Sequence, residues 1–423
     1  MTQQSKPPKK SFRLIGQGTY GCAIHPGFNC TTKRFGSNEY ISKLQIEDET
    51  TKSEIEMGKI IKKIPNHQFY FAPILEQCQV NASLIDGHQL EQCQVVAKSN
   101  KKNIVSNKIR YIGSETFGKY FYEVLDKKSP SIYLQKILES HIYLLKSIQI
   151  LNSNGLLHLD IKENNVIYDN VNDVFILIDF GFCIESKKIE LANYMQSIRP
   201  FGKIADSYSP WCIEIILLSY ISKYIQDPKS PIYKINDSIF QQKIIDTNTR
   251  ELKRRCTLFI KKNSLFETQF FSNNEIQEFE TALHKWVDGF KGKTWKDVWT
   301  ILVSSHKSWD NYSLSVMYLL ELYDSNIIEQ RMHAGLIHNY MSILNKIILV
   351  FPENRSLAKV TAKEIEKNFV LLDKNMVNEF TKMAKLAQSN IKTVKERKNK
   401  RTLRELEEDS KLLSNHQNVL QAV

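Results

Sequence analysis

Residues 155–182 read GLLHLDIKENNVIYDNVNDVFILIDFGF, and the organisation of the chain can be inferred from this stretch. It contains two short apolar segments, 165–168 and 174–178, separated by turn residues. Short apolar runs bounded by turn residues are typical of buried strands. Carboxylates flank both segments, and a lysine and an amide lie beside the first. We therefore predict two strands, with a catalytic loop before the first and a metal-binding turn after the second.

Two motifs lie within this stretch. His158, Asp160, Lys162 and Asn165 form H-x-D-x-K-x-x-N, and Asp179 begins D-F-G directly after the second apolar segment. The two aspartates are 19 residues apart. Either motif alone occurs by chance in loops, but both in this order and beside strands favour a functional site.

Length and charge limit the classes of protein. With 423 residues the chain exceeds the usual size of one domain, so two lobes, or two domains with appendages, are expected. A hydrophobic content of 42% is enough for a sizeable core. The net charge of +12 favours acidic partners such as phosphates, nucleic acid, an anionic surface or acidic proteins. A lysine-rich, solvated surface is the more ordinary explanation of that charge.

The cysteines and the N-terminus suggest a location. Seven cysteines, an odd number without framework spacing, favour free thiols in a reducing compartment. The start, MTQQSKPPKKSF, lacks the apolar core of a signal peptide, and no apolar run approaches the ~20 residues that span a bilayer. We expect a soluble, intracellular, cytoplasmic protein whose residues 1–11 form a disordered lead-in and which has no membrane partner.

The first structured segment is expected to begin at Phe12 and is rich in glycine. FRLIGQGTYGCAIHPGF carries Gly16, Gly18 and Gly21 as G-x-G-x-x-G. Glycine lets backbone N–H groups approach phosphate oxygens because no Cβ intervenes. The pattern alone is weak, since it also marks dinucleotide-binding folds and ordinary hairpins. Here a second strand is predicted after the last glycine instead of a helix, which favours a flap over phosphates.

A lysine and an acid form a candidate ion pair. Lys43 lies in EYISKLQ, a predicted strand in which Ile41 shares its face. The following helix, TTKSEIEMGKIIKKI, has an apolar face at helical spacing, and Glu54 falls on that face. A buried acid needs a cation, and Lys43 is the available one. We predict this pair, although three other acids compete for the lysine: Glu47, Glu49 and Glu56.

The pentapeptide EQCQV occurs twice, at 76–80 and at 91–95. Two adjacent antiparallel strands would explain the repetition, although five residues are too few for a repeat unit. Cys78 and Cys93 would then lie near each other, and we expect them to be thiols and not a disulfide.

Two connecting elements follow. Residues 111–117, YIGSETF, predict a hinge in which Gly113 provides flexibility. Residues 131–152 carry apolar side chains at three- and four-residue steps and predict a long helix. Asn154-Gly155 would end this helix and lead the chain into the catalytic loop.

The order of these elements resembles the eukaryotic-type serine/threonine protein kinase superfamily, and the second half of the chain supports the resemblance. SPWCIE, which ends at Glu214, is similar to a degenerate A-P-E. WDNYSLSVMYLLELY resembles the helix whose aspartate, here Asp310, braces the catalytic loop. FPENR resembles the segment whose arginine, here Arg355, pairs with the A-P-E glutamate.

The resemblance implies an α+β, bilobal fold, with a small β-rich N-lobe at 12–113 and a large helical C-lobe at 114–370. Because 96 residues separate Glu214 from Asp310, residues 218–306 are expected to form a helical insertion beside the substrate-binding face. This insertion, together with GQGTYGCAIHP and YISK, looks most like the kinases of nucleocytoplasmic large DNA viruses.

The resemblance also implies ATP and Mg²⁺ as cofactors. Lys43 would contact the α- and β-phosphates, with Glu54 orienting it, and Asn165 and Asp179 would hold Mg²⁺. The phosphate flap and the roof over the adenine would be formed by Gly16, Gln17, Gly18, Thr19, Tyr20, Gly21, Ala23 and Ile41.

On the acceptor side, the resemblance implies that Asp160 orients and deprotonates a serine or threonine hydroxyl of a protein substrate. Lys162 would stabilise the transferring phosphoryl group. Leu159 replaces the arginine that binds an activation-loop phosphate in many members, so activity is not expected to require that phosphorylation. Three hydroxyl residues of the activation segment are candidates for modification: Ser197, Ser207 and Tyr208.

Alternatives remain open at this point. Residues 371–423 are a basic segment with helical periodicity, which predicts either a solvated helix or a docking helix for an acidic partner or nucleic acid. The chain could be a pseudokinase-type scaffold that binds nucleotide and partners without efficient transfer. A small-molecule kinase is disfavoured by the full glycine flap and by the pair of Glu214 with Arg355.

Overall fold

The computed structural model describes residues 12–369, apart from 18–20, 33, 82–91, 99–102, 129, 191–200, 202–207, 227–239, 269 and 326–333. The expected lead-in and the basic tail lie outside this part of the chain. A β-rich N-terminal part is followed by a helical C-terminal part, which confirms the predicted α+β class. No helix within the described ranges is both long and apolar enough to cross a membrane.

A five-stranded antiparallel sheet forms the N-terminal part, in the order β1-β2-β5-β8-β7. Its strands are β1 Arg13–Gln17, β2 Gly21–His25, β5 Tyr40–Ile46, β7 Ile74–Gln79 and β8 Ile104–Arg110. A separate ribbon is formed by β3 Gly27–Asn29 and β4 Arg34–Ser37. Alternate residues of β2 and β5 are buried on one face, among them Cys22, Ile24 and Leu44, because side chains alternate along a strand.

Helix α1, Glu49–Ile61, lies against β7 and the D-F-G turn. Asp48 begins it with a capping box: its carboxylate accepts from the Thr51 amide at 2.9 Å, and the Thr51 hydroxyl accepts from the Asp48 amide at 2.8 Å. Met57 is buried on the predicted apolar face, and Glu54 is buried with it. The sequence pattern therefore places the acidic side chain of Glu54 in the protein interior.

Helices dominate the C-terminal part. In chain order, the helices described from residue 94 onward are α2 Gln94–Lys98, α3 Phe117–Lys127, α4 Pro130–Ser153, α5 Ile213–Gln226, α6 Asp246–Lys262, α7 Ser264–Glu267, α8 Asn273–Asp288, α9 Trp295–Val303, α10 Trp309–Asp324, α11 Ala334–Ile348 and α12 Ala358–Phe369. The large core lies between α4, α10 and α12, where α4 contributes Leu144, Leu145 and Ile148.

The long helix α4 ends where the sequence predicts. The Gly155 amide donates to the carbonyl of Asn152 at 3.1 Å, and Gly155 has a φ of +70°. That left-handed conformation favours glycine at the end of a helix. The chain therefore turns directly from α4 into the H-x-D-x-K-x-x-N loop.

The predicted hinge is the connection between β8 and α3. Its start is tied to the sheet, because the Tyr111 amide donates to the Glu39 carbonyl at 2.8 Å. Its end is tied to the C-terminal part, where the Tyr168 amide donates to the Glu115 carbonyl at 2.9 Å. Gly113 between them has a φ of +147°, which other residues rarely adopt. The lobe boundary at 113 falls within this connection and stays a prediction.

The cysteine predictions were wrong for four of the seven residues. Cys22 forms a disulfide with Cys93, and Cys30 forms one with Cys78. Cys78 and Cys93 therefore belong to different bridges, and the all-thiol state expected for a reducing compartment loses its support. Free thiols remain at three buried positions: Cys183, Cys212 and Cys256.

The repeated pentapeptide was also interpreted wrongly. Residues 76–80 lie on β7 and just after it, as expected. The second copy enters α2, Gln94–Lys98, and is not a strand. The Cys93 disulfide to β2 holds this segment on the sheet. The same five residues thus take different conformations because their tertiary contacts differ.

Disulfide mapping tests the cysteine pairing. Unreduced protein, digested after alkylation under denaturing conditions, should yield two linked peptide pairs, Cys22 with Cys93 and Cys30 with Cys78. The three buried cysteines should be alkylated. Protein prepared under reducing conditions is the control and should show seven alkylated cysteines. Alkylation of all seven cysteines without reductant would contradict the pairing.

The region predicted as an insertion is helical in its described residues, from α5 to α9. It is not a peripheral appendage. Trp299 of α9 is fully buried, and its indole N–H donates to the carbonyl of Ile189 at 2.9 Å. Ile189 follows the D-F-G turn, so the insertion packs against the segment that leaves the candidate site.

A buried ion pair joins the start of α5 to the loop before α12. Arg355 contacts both oxygens of Glu214, at 2.7 and 3.0 Å, and both side chains are almost completely inaccessible. The indole of Trp309 and the hydroxyl of Ser305 also donate to Glu214. Burial alone would raise the pKa of Glu214, but Arg355 holds it below its usual value. The predicted pair is confirmed.

Loss of one partner tests this interaction. Arg355→Met should lower the free energy of unfolding by about 3–5 kcal/mol, because it leaves a buried carboxylate without its cation. Urea titration followed by fluorescence measures the change. Arg254→Met is the matched control, since Arg254 pairs with Glu251 at the surface and should cost less than about 1 kcal/mol. Equal losses of unfolding free energy in Arg355→Met and Arg254→Met would contradict a buried ion pair of Arg355 with Glu214.

Candidate active site

A β-hairpin positions the two motifs. Strand β10, Val166–Asp169, pairs antiparallel with β11, Val174–Ile178, and Val166 lies opposite Leu177. Asn165 precedes β10 and Asp179 follows β11, so both lie at the same end of the hairpin. Strand β11 also pairs with β6, Phe71–Ala72, while β9, Leu156–Leu157, pairs with β12, Ile184–Glu185.

Asp160 is buried among hydrogen-bond donors. Lys162 Nζ lies 3.0 Å from Oδ1, and Asn165 Nδ2 donates to Oδ2 at 2.7 Å. The Tyr208 hydroxyl also donates to Oδ1. Burial raises the pKa of Asp160 to about 6, although Lys162 acts in the opposite direction. Near neutral pH the carboxylate is therefore mainly ionised and accepts protons.

The backbone beside Asp160 is held by Asp310 of α10. Its two carboxylate oxygens accept from the amides of His158, at 2.8 Å, and Leu159, at 2.9 Å. This contact confirms the predicted brace. Leu159 has a φ of +61°, which costs a non-glycine residue about 1–3 kcal/mol. The Trp211 indole donates to the Leu159 carbonyl at 2.8 Å and stabilises the same conformation from the other side.

His158 is a structural link and not an acid or base. Burial lowers its pKa to about 4, so the ring is neutral near pH 7. Nε2 lies 3.1 Å from the Ile178 carbonyl and therefore donates, which leaves Nδ1 to accept from the Asp160 amide at 3.3 Å. The ring also packs beside Phe180 of the D-F-G turn. His158 thus joins the catalytic loop to β11.

Lys43 Nζ lies between two carboxylates. It is 3.0 Å from Glu54 Oε1, 3.1 Å from Glu54 Oε2 and 2.8 Å from Asp179 Oδ1. The predicted pairing of Lys43 with Glu54 is present. Burial alone would lower the pKa of Lys43, but the two carboxylates outweigh it and raise the pKa above its usual value. Lys43 also holds the pKa of Asp179 below its usual value, against the effect of burial.

The glycine-rich strands lie next to Lys43. Gly16 of β1 faces Ala23 of β2, and Ala23 faces Lys43 of β5. A Cβ on Gly21 would lie 2.4 Å from the Leu44 carbonyl oxygen, so packing of β2 on β5 requires glycine there. The two predicted strands are present and pair, with Gln17 opposite Cys22. The predicted turn lies outside the described part, with three flap residues: Gly18, Thr19 and Tyr20.

An apolar surface continues from the predicted adenine roof. Ile41 pairs with Ile109 of β8. Ile41 and Ile178 of β11 both pack against a buried cluster that contains Ile109 and Ile176. The sheet and the hairpin therefore share one apolar cluster beside Lys43. The role of Ile41 in covering a base stays a prediction.

The residues present fit a magnesium ion. The amide nitrogen of Asn165 donates to Asp160, so its oxygen is the atom that it can offer a metal. Asp179 adds a carboxylate. Within the described ranges, no group of three or more histidine, cysteine, aspartate or glutamate side chains could hold a metal. One amide and one carboxylate suit Mg²⁺, which keeps waters and binds phosphate oxygens.

A cavity of about 610 Å³ adjoins the catalytic loop. Lys162 and Tyr208 line one side, and α7 of the insertion lines another with Glu267. The end of α10 adds Glu321 and Asp324. Burial raises the pKa of Glu321 to about 7. The region predicted as an insertion thus contributes to the surface beside Lys162. Its place beside a substrate-binding face stays a prediction.

Sequence reasoning missed two contacts of the site. Tyr208 was considered only as a residue that could be modified, yet its hydroxyl lies on Asp160 and accepts from Lys162 at 2.9 Å. Trp211 was noted only within the A-P-E-like segment, yet it holds Leu159. Both lie about 50 residues beyond their partners, so no local spacing could have revealed them.

Comparisons with known proteins find partial sequence similarity to protein kinases. No family model matches the chain. It is 31% identical over 117 residues to cyclin-dependent kinase-like 5 of Mus musculus, covering 24% of this chain and 12% of that protein. It is 26% identical over 160 residues to the serine/threonine-protein kinase US3 homolog of equine herpesvirus 1 (strain Ab4p), covering 35% of this chain and 42% of that protein. The chain thus spans less than half of either relative, and these similarities support a place in the protein kinase superfamily.

Removal of Lys43 tests the electrostatics of the site. Lys43→Met leaves two carboxylates without their cation, so unfolding at pH 7 should become easier by about 2–3 kcal/mol. In the wild type, Asp179 has a lowered pKa and contributes stability that is lost as pH falls. The loss of unfolding free energy caused by Lys43→Met should therefore be smaller at pH 4–5, where carboxylates protonate. Urea titrations at both pH values measure it.

The control for this test is Lys59→Met. Lys59 pairs with Glu56 in solvent, and its loss should change stability by less than about 1 kcal/mol at either pH. A loss of unfolding free energy in Lys43→Met that does not depend on pH would contradict the charges assigned to Lys43, Glu54 and Asp179.

Proposed function

We propose that the chain is an ATP-dependent protein kinase that transfers the γ-phosphate of Mg-ATP to serine or threonine hydroxyls of protein substrates. The observation that carries the proposal is the position of Lys43, which bonds to Glu54 and to the D-F-G aspartate, Asp179. Phosphoryl transfer requires mainly positioning and charge neutralisation, and this lysine supplies a fixed positive charge for phosphates.

On the nucleotide side, Lys43 would bind the α- and β-phosphates while Glu54 keeps it in place. Mg²⁺, held by Asn165 and Asp179, would supply positive charge to the phosphate oxygens. Ala23 and Ile41 would cover the base. The glycine flap, Gly16 to Gly21, would lie over the phosphates.

On the acceptor side, Asp160 would take the hydroxyl proton and Lys162 would neutralise charge on the transferring group. A pKa of about 6 suits a base that works near neutral pH. Asp310 and Trp211 hold the loop backbone, so the carboxylate needs little reorganisation during the reaction.

The choice of serine and threonine as acceptors is supported by the herpesvirus relative, which is a serine/threonine-protein kinase. A place among kinases of nucleocytoplasmic large DNA viruses is a separate proposal, supported by the long insertion and by YISK around Lys43. A docking role for the basic tail at 371–423 is likewise a prediction that the described residues do not reach.

A nucleotide-binding scaffold without efficient transfer is the second candidate. The observation that favours it is the Tyr208 hydroxyl on Asp160, which fills the place of an acceptor. Against it, none of the residues needed for transfer is replaced: Lys43, Asp160, Asn165 and Asp179 are all present.

Transfer of labelled γ-phosphate separates the two candidates. Wild-type protein with Mg-ATP should form phosphoserine or phosphothreonine on a generic basic protein. Asp160→Asn should lower kcat by about 10²–10⁴-fold, because the base is lost, while Mg-ATP still raises the melting temperature. Asp246→Asn, at an exposed position, is the matched control and should retain activity.

Two other results would decide against the kinase. Nucleotide stabilisation without transfer by the wild type would favour the scaffold. Neither transfer nor nucleotide stabilisation would reject the active-site assignment as a whole.

A further inference from the structure

Three side-chain amides lie on the face of the sheet that carries Lys43. Asn107 of β8 is opposite Lys43, and on its other side it is opposite Gln77 of β7. Gln45 follows Lys43 by two residues on β5, so its side chain points to the same face. Gln45 and Asn107 are almost completely buried. Amides therefore occupy positions where a sheet packed against a helix usually buries apolar side chains.

Hydrogen bonds give these amides a single direction. The amide nitrogen of Gln77 donates to Asn107 Oδ1 at 2.9 Å, and the amide nitrogen of Asn107 donates to Gln45 Oε1. Gln45 in turn hydrogen-bonds to the Glu54 carboxylate. An ionised carboxylate only accepts, so the amide nitrogen of Gln45 is the donor. The row of amides thus ends on the carboxylate that pairs with Lys43.

Glu54 is almost completely buried and shares its cation with a second acid. Burial raises the pKa of Glu54, whereas the positive charge of Lys43 and the hydrogen bond from Gln45 oppose this effect. Lys43 also contacts Asp179, whose negative charge disfavours a second carboxylate nearby. A neutral amide donor favours the ionised form of Glu54 without adding another charge. Amides in a row also polarise one another, which strengthens the last hydrogen bond.

The same glutamine contacts the glycine-rich strand. Gly21 of β2 lies opposite Gln45, and a Cβ on Gly21 would lie 2.6 Å from Gln45 Cγ. The aliphatic part of Gln45 therefore packs closely under β2, while its amide reaches Glu54 on α1. Close packing limits the rotamers that the side chain can adopt. The amide is thus held in one orientation by its neighbours on both sides.

We propose that Gln45 is a positioning residue of the candidate site: it holds the Glu54 carboxylate in the orientation that presents Lys43 to nucleotide phosphates, and Asn107 fixes its amide. This inference rests on the nucleotide-binding part of the proposed function. In the nucleotide complex, Asp179 would be a metal ligand, and Glu54 would be the carboxylate left to Lys43. The orientation of Glu54 then depends on Gln45, and a partner that is already oriented lowers the ordering cost of binding.

The experiment measures the dissociation constant of a non-hydrolysable Mg-ATP analogue for the full-length protein by calorimetry. Gln45→Met keeps the length of the side chain and removes the amide. It should raise the dissociation constant about 10-fold, because Glu54 loses a hydrogen bond to its charged group. In Glu54→Met protein, which lacks the acceptor, adding Gln45→Met should change the constant by less than about 2-fold. A purely structural role of Gln45 would not depend on Glu54 in this way.

Ser106→Ala is the matched control. Ser106 precedes Asn107 on β8, is fully buried, and donates its hydroxyl to Ser42 at 2.8 Å on the opposite face of the sheet. Its loss removes a buried hydrogen bond outside the row of amides, so the dissociation constant should stay within about 2-fold of the wild type. An increase equal to that of Gln45→Met would overturn the inference, because loss of any buried hydrogen bond in the sheet would then suffice.

A double variant covers the case in which Gln45→Met alone does not fold. Gln45→Met with Asn107→Leu replaces both partners of one buried hydrogen bond by apolar side chains, which can be nearly neutral for folding. This protein should also bind the analogue about 10-fold more weakly than the wild type, since Glu54 again lacks its amide donor.

The outcomes separate this inference from the proposed function. Wild-type affinity in Gln45→Met or in the double variant would overturn the inference and leave the kinase function intact. An equal loss of affinity in the Glu54→Met background would also overturn it, because Gln45 would not act through Glu54. The expected coupling without phosphoryl transfer by the wild type would support the inference and favour the scaffold. Wild-type protein that does not bind the analogue would reject the proposed function and the inference together.

Discussion

The position of Lys43 between two carboxylates is the interaction on which the candidate site depends. It joins strand β5 to the next element, helix α1, through Glu54, and to the turn after β11, 136 residues further along the chain, through Asp179. One cation and two anions leave a net negative charge among these three groups, which suits the approach of a divalent cation. Buried ion pairs contribute little net stability compared with apolar packing. The proposed binding of phosphates and metal would explain their presence here better than the needs of folding do.

Much of this arrangement follows from local sequence. Strand periodicity and turn residues place Asn165 and Asp179 at the ends of two strands, and the observed hairpin brings those ends together. Helical periodicity places Glu54 on the buried face of α1, and a buried acid requires a cation. The brace by Asp310 could be predicted only through the resemblance to kinases, because 152 residues separate it from His158 of the loop that it holds.

Other features depend on tertiary contacts that no spacing reveals. Disulfide connectivity cannot be deduced from cysteine positions alone, so the bridges of Cys22 with Cys93 and Cys30 with Cys78 were missed. The two EQCQV copies are bridged to different cysteines, and the second leads into a helix while the first lies on a strand. The contact of Tyr208 with Asp160 lies beside the bond of Trp211 to Leu159, which holds the returning chain at the catalytic loop. The sequence around Tyr208 does not indicate its contact with Asp160.

A crystal structure of the complex with Mg²⁺ and a non-hydrolysable ATP analogue tests the central claim most directly. The account predicts that Lys43 keeps its bond to Glu54 and contacts the α- or β-phosphate. The oxygen of Asn165 and the carboxylate of Asp179 should lie about 2.0–2.1 Å from Mg²⁺. The base should lie against Ala23 and Ile41. An analogue bound elsewhere, or a crystal in which saturating analogue leaves Lys43 on Asp179 without phosphate contact, would contradict the account.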